Sequence, residues 1–339
     1  MNNLYIIGNG FDLAHGLPTS YTHFAYFLYR NYISDSQSEY NDLKHEEKDL
    51  IYEEFVKKYK DILISLQDNI WDFPPSEIVD IQPWSYEEGL ILGFLGILGY
   101  ARTTDLWSDL ESALGSIDYQ LIRDTIDDVV DNEGDFDMRK TGYILEDGSQ
   151  EWPNAAYKFN STFRDWINTV EIEKPKRKES FYKYLKGCKG YFLNFNYTET
   201  LQKLYCIQDQ DVLHIHGFRG DEESSIIMGH NSGEIEYESA MLGYDDNIRS
   251  LHAVLRKNLQ LDTLKKFLNT CEDIINIICI GFSFGDSDDE YIRALINHPK
   301  TSPATWLLNE YNMDEVAEQS RKLQRFGIDP SKITSEKIL

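Results

Sequence analysis

The sequence predicts an α/β fold, a parallel sheet flanked by helices that carries a large, mostly helical insertion. Three observations predict it. A short apolar run, Leu4–Ile7, reads as a buried strand and ends in Gly8-Asn9-Gly10. From Gly190 onward, β-branched apolar runs alternate with helical stretches, the pattern of a parallel sheet. Residues 22 to about 186 carry helical periodicity and no strand series, so the first strand has to join partners that arrive much later. The expected division is 1–21 for the first strand and glycine loop, 22–186 for the helical insertion, and 187–339 for the rest of the core.

The elements follow in order. Tyr21–Ile33 has Phe24, Phe27 and Leu28 at helical spacing, with Thr22 as a cap. Between Ser34 and Ile70, a stripe of Leu50, Ile51, Phe55, Tyr59, Ile62 and Leu66 opposes charged residues, and Phe73-Pro74-Pro75 ends the pattern. Further helices are expected at 86–101, 105–131 and 154–170. Asn132–Glu151, with Gly134, Gly142 and Gly148, reads as a polar loop or small hairpin. Leu90–Tyr100 is the longest apolar stretch, at 11 residues. A bilayer span needs about 20, so this is expected to be a buried helix. The later strands are expected at 191–196, 212–216, 226–228, 274–281 and 305–308. Helices are expected at 198–206, 249–271, 287–297 and 312–326.

Composition narrows the function classes. The formal net charge of −25 over 339 residues repels nucleic acid, so direct binding of DNA or RNA is not expected. The four cysteines, Cys188, Cys206, Cys271 and Cys279, form no CxxC pair and suit a reducing compartment. No cationic leader with an apolar core opens the sequence. The expectation is a cytoplasmic protein with no membrane attachment.

In an open parallel sheet, ligands bind beyond the carboxyl ends of the strands. Here those ends carry chemistry: Gly8-Asn9-Gly10, Asn194-Phe195-Asn196-Tyr197-Thr198, His216-Gly217, Gly281-Phe282-Ser283-Phe284-Gly285-Asp286 and Asn309-Glu310. Asn196 can position a ribose hydroxyl or a water; its plain role would be a helix cap, for which Thr198 is better placed. His216, at a strand end before a glycine, suits a general base. His214 reads as a satisfied core histidine, and His230 as a weaker second candidate. Gly281-Phe282-Ser283 resembles a phosphate turn. Asp286, Asp288 and Asp289 read as the acidic first turn of a helix rather than a metal site, and no metal is expected. Asp12 either contacts a ribose or closes the loop as an Asx-turn. Trp107-Ser108-Asp109-Leu110-Glu111 is by default an amphipathic helix, although Glu111 and Asp109 could reach the rim. With Gly8 and Gly10 in place, a dinucleotide fingerprint would require a third glycine where Leu13 stands.

Gly8-x-Gly10 with Gly16-x-Pro18, then Asn196, His216-Gly217, Gly281-Phe282-Ser283 and Asn309, resemble in order the NAD-contacting blocks of the sirtuin superfamily. The wording Gly-Asn-Gly-Phe-Asp-Leu-Ala-His-Gly-Leu-Pro-Thr-Ser-Tyr is more similar still to the bacteriophage abortive infection family AbiH, a divergent sirtuin-like branch. Trp107-x-x-Leu110-Glu111, Asn194–Thr198, His214-x-His216-Gly217 and Gly281–Asp286 share that similarity. The resemblance covers the first 21 residues and about 190–310. It implies a Rossmann-like core and an NAD site. Asn196 would orient the nicotinamide ribose or a water, and His216 would be the base. Gly8, Asn9, Gly10, Phe11, Asp12, Tyr197, Gly281, Phe282, Ser283 and Asn309 would contact the cofactor, the two glycine turns at its diphosphate and Asn309 at its adenosine end. Three departures stand out. Ser20-Tyr21 replace a Phe-Arg pair, Thr198 stands where sirtuins have an Asp, and no four-cysteine zinc module is present. Water is therefore the expected acceptor, not an acyl-lysine.

The resemblance implies an anti-phage protein that hydrolyses NAD at the nicotinamide–ribose bond. The alternative is a module that senses NAD or a related nucleotide without turnover and signals to an effector. The hydrolase role calls for restraint by homo-oligomerisation or by a partner protein. A nuclease built on residues 286–290 is the third option, and the charge of −25 opposes it.

Overall fold

The computed structural model describes residues 2–33, 55, 85–102, 109–172, 175–186, 189–220, 226–235 and 237–339. The expected stripe at 34–70 (Phe55 apart), the Phe73-Pro74-Pro75 break, Trp107 and Cys188 lie outside them.

The chain divides into two compact units, Met1–Ser20 with Ile167–Ile227 and Asn258–Leu339, and Tyr21–Trp166 with Met228–Lys257. The first holds a six-stranded sheet: β1 (Asn2–Ile7), β2 (Lys189–Asn194), β3 (Val212–His214), β4 (Asn276–Ile280), β5 (Thr305–Asn309) and β6 (Ile333–Glu336). All pairings are parallel, in the order β3-β2-β1-β4-β5-β6. This is a Rossmann-like α/β fold with its switch point between β1 and β4. Leu4–Ile7 are fully buried in the central strand. One face buries Leu4, Ile6, Leu193, Ile277 and Trp306 against helices that include Leu261–Thr270 and Asp289–Asn297. The other buries Tyr5, Ile7, Phe192 and Ile278 with Phe181 and Leu201. Successive residues of β1 alternate between the two, as the strand period requires.

Several elements differ from expectation. β6 is not anticipated by the sequence pattern, because Thr334, Ser335 and Glu336 are exposed on an edge strand. Residues 226–228 form no strand. The helix expected at 249–271 is two, Leu242–Leu255 and Leu261–Thr270.

The second unit is helical. Tyr86–Leu98 is buried from Gly89 to Leu98, as an all-round apolar helix should be, and opens on a capping box between Ser85 and Glu88. Among the described residues no helix is long and apolar enough to cross a membrane. The helix expected over 105–131 is broken. Gly115 ends Leu110–Leu114, and the Asp118 carboxylate accepts from Gln120 and Leu121 N–H to start Tyr119–Asp124. The loop expected at 132–151 contains the helix Met138–Ser149, started by Asp137 accepting from Lys140 N–H. Thr22 does not cap the Tyr21–Leu28 helix, since it lies inside it.

Candidate functional site

At the switch point, the first strand turns directly into a short helix, Asn9–Ala14. Its glycines serve a backbone contact. Gly8 N–H donates to Ile280 O at 3.0 Å and Gly10 N–H to Gly281 O at 2.9 Å. A Cβ on Gly8 would stand 2.4 Å from Gly281 O, and one on Gly281, at φ +62°, 2.2 Å from Phe11 N. Only glycine permits this approach. The Gly8 and Gly10 donors expected for a diphosphate are therefore engaged by the end of β4.

Asn9 is pinned as well. Its amide donates to Thr19 O at 2.9 Å and accepts from the Thr19 hydroxyl at 2.6 Å. Phe11 and Phe282, expected at the cofactor, have their rings in the core. The Phe11 ring packs on Phe181 at 5.2 Å and His15 at 4.5 Å, and the Phe282 ring on Phe195 at 4.6 Å. Both are buried. The Asn309 amide oxygen accepts from Ile338 N–H at 2.8 Å and Leu339 N–H at 3.1 Å. It thereby holds the C-terminal segment. Ser283 is exposed on the loop after β4. Tyr197 donates its hydroxyl to Ile227 O at 2.9 Å.

The opening helix and β2 meet at Asp12. Its side chain is 1% exposed, and Oδ2 accepts a short hydrogen bond from the Thr198 hydroxyl. Thr198 in turn lies 3.0 Å from the Thr200 hydroxyl. Thr198 therefore does not cap the following helix, Thr200–Tyr205, whose N-terminal residue Glu199 offers no side-chain cap either. Burial pushes the Asp12 carboxyl up to about 6, against hydrogen bonds from Thr198, Thr200 and Asn196 and the charge of Arg219. Its second oxygen, Oδ1, has no well-formed hydrogen bond among the described residues. Arg219 is steadied by Glu199 at 2.8 Å and by Val170 O.

Asn196 is the second member of the cluster. Its amide donates to Gly8 O at 3.1 Å, and its backbone N–H donates to the Asn194 side chain at 3.0 Å. The Asn at the end of β2 thus ties itself to the end of β1. His216 follows β3 and precedes Gly217, whose φ is +75°. Its ring is 4% exposed and lies against Phe195 and Tyr197. Nε2 has no hydrogen-bond partner among the described residues, and the nearest carboxylate is Asp288 at 3.4 Å. His214 is satisfied at both nitrogens, by Asn196 O at 3.1 Å and Gln202 at 2.9 Å, and burial lowers its pKa. It is the core histidine that its position suggested.

The acidic turn after β4 forms a short 3-10 segment, Asp286–Asp288, before the helix Asp289–Asn297. Asp286 and Asp289 both pair with Lys322, which also donates to Phe284 O at 2.7 Å. Phe284, at φ +57°, is a strained non-glycine residue inside this clamped loop.

Glu111 and His230 fall in the helical unit. Glu111 forms a buried ion pair with Lys257 at 2.8 Å, and His230 accepts from the Ser232 hydroxyl at 2.6 Å. Leu110 is buried, as an amphipathic helix requires. The residues that sequence reasoning left out of the site are Thr200 and Arg219. Neither sits in a recognisable motif, and Thr200 reads as an ordinary helix residue.

No curated protein and no solved structure matches the chain. One family model does, over residues 4–310, from inside β1 to just beyond β5, and its span takes in Asp12, Asn196 and His216. With that match over most of its length, the chain belongs to the bacteriophage abortive infection family AbiH.

Proposed function

We propose that this abortive-infection protein binds NAD at the carboxyl rim of its sheet and hydrolyses the nicotinamide–ribose bond. One observation carries the reading. Asp12, a buried carboxylate with an unsatisfied oxygen, stands with Asn196 at the switch point of a Rossmann-like sheet. Cleavage of that bond passes through an oxocarbenium-like transition state, whose positive charge a fixed carboxylate stabilises. Asp12 supplies that charge here, from position 12 rather than from the position that Thr198 occupies. The orphaned Oδ1 of Asp12 suits a ribose hydroxyl as donor. Asn196 orients the ribose or the attacking water, and His216 takes the proton of that water. Ser283 and its neighbouring backbone are the phosphate contact that remains, since the Gly8 and Gly10 donors are engaged. Loss of NAD in an infected cell would halt phage growth together with the host, and a partner protein or self-association would restrain the activity until then.

The test is nicotinamide release from NAD by the purified protein, beside Asp12→Asn, Asn196→Ala and His216→Ala. Each variant is expected to lose at least about 10²-fold, the usual scale for a general base or a charge-stabilising group. Undiminished release in all three sinks the assignment.

A second reading, nucleotide sensing without turnover, is favoured by the engagement of the Asn196 amide with Gly8 O. It predicts calorimetric binding of NAD and no nicotinamide release, with or without phage components.

A further inference from the structure

The three aspartates after β4 divide between two partners. Lys322 Nζ lies 2.5 Å from Asp286 and 2.7 Å from Asp289. Asp288, between them in sequence, faces His216: its Oδ1 is 3.4 Å from Nε2, with side chains 13% and 5% exposed. Three aromatic rings fix the imidazole. Phe195 stands perpendicular to it at 5.2 Å, Tyr291 at 5.8 Å and Tyr197 at 6.2 Å. The titratable groups around the ring are thus Asp288 from the turn after β4, Tyr291 from the helix that follows, and Tyr197 from the loop after β2.

We propose that Asp288 is a positioning residue for His216, accepting its Nε2–H and so leaving Nδ1 as the atom that receives a proton. A carboxylate on one ring nitrogen holds the tautomer and orientation, and it favours the imidazolium once formed. The observed 3.4 Å is long for a hydrogen bond, as catalytic contacts commonly are before substrate binds. The assignment rests on the hydrolase reading for its chemistry. Water oxygen bonds to the ribose C1′ as the C1′–N bond breaks, the electron pair leaves with nicotinamide, and the water proton passes to His216 Nδ1 and then to solvent. Lys322 pairs with both neighbours, Asp286 and Asp289, and Asp288 is the aspartate of the three whose carboxylate lies against the ring.

The test combines side-chain nitrogen NMR of His216 with nicotinamide release, in wild type, Asp288→Asn and Asp288→Glu. The expected result is a proton on Nε2 in the wild type. In Asp288→Asn the preference for the Nε2–H tautomer should weaken, because Nε2–H loses its carboxylate acceptor. Release should fall about 10-fold or more in kcat with KM for NAD nearly unchanged, and Asp288→Glu should recover part of it. A proton on Nδ1 in the wild type, or a tautomer ratio that neither variant moves, overturns the proposal. Reading the ring directly separates the two claims. A wild type with the expected tautomer and no nicotinamide release removes the hydrolase reading and leaves the Asp288–His216 pairing supported.

Discussion

Asp12 is the residue on which the site and its cost in stability meet. Its carboxyl rises from 3.8 to about 6 through burial, so the folded protein holds that proton more tightly than the unfolded chain. Asp12 therefore contributes a penalty that is absent below about pH 4, grows as pH rises to about 6, and amounts there to about 3 kcal/mol. Asp12→Asn removes it. The variant is expected to melt higher than wild type at pH 7.5 and to match it near pH 4, by calorimetry, while losing nicotinamide release. A melting temperature that falls at pH 7.5 contradicts the buried-charge account. Thr198→Val tests the partner, since without the hydroxyl Asp12 Oδ2 loses its donor. Stability should drop by about 1–3 kcal/mol at neutral pH, read as a lower urea midpoint. The link between residues 12 and 198 could not be read from the sequence. Thr198 looks like a cap locally, and its true partner stands 186 positions away.

At the scale of elements, the ends of β1 and β4 form a lock, and the loop after β4 is held by a clamp. Gly281→Ala puts a methyl group at φ +62° against Phe11 N. We expect it to cost more than about 2 kcal/mol, measured by urea denaturation. Lys322→Met leaves Asp286 and Asp289 without their cation and Phe284 O without its donor. Faster amide exchange across 281–286 is the expected readout. The strands were readable where their ends carry Gly, Asn or His, and β1, β2, β4 and β5 appear within a few residues of their expected places. β6 escaped because an exposed edge strand ending Thr-Ser-Glu shows no apolar run. The helix Met138–Ser149 escaped because Gly142 and Gly148 look like breaks, yet a capped helix tolerates both. The hold of Asn309 on Ile338 and Leu339 was not legible, because it lies in no motif.

Across the whole molecule, two opposite pH responses are expected. His23 and His230, in the helical unit, are both held down to about 4 by burial. The unfolded chain takes up those protons first, so stability falls as pH drops from about 6.5 toward 4, the reverse of Asp12. A His23→Gln, His230→Gln double variant should lose less in melting temperature over that range than the wild type. The α/β sheet with a helical block and the family membership were readable from strand ends and short motifs. The two-part composition of the helical unit was not, because Met228–Lys257 follows three strands of the other unit in sequence. The sharpest test of the account is nicotinamide release from NAD by wild type and Asp12→Asn at equal folded concentration. The account predicts release by the wild type and a loss of about 10²-fold or more in a variant that is at least as stable. Equal release by both proteins, or none by the wild type with or without phage components, would contradict it.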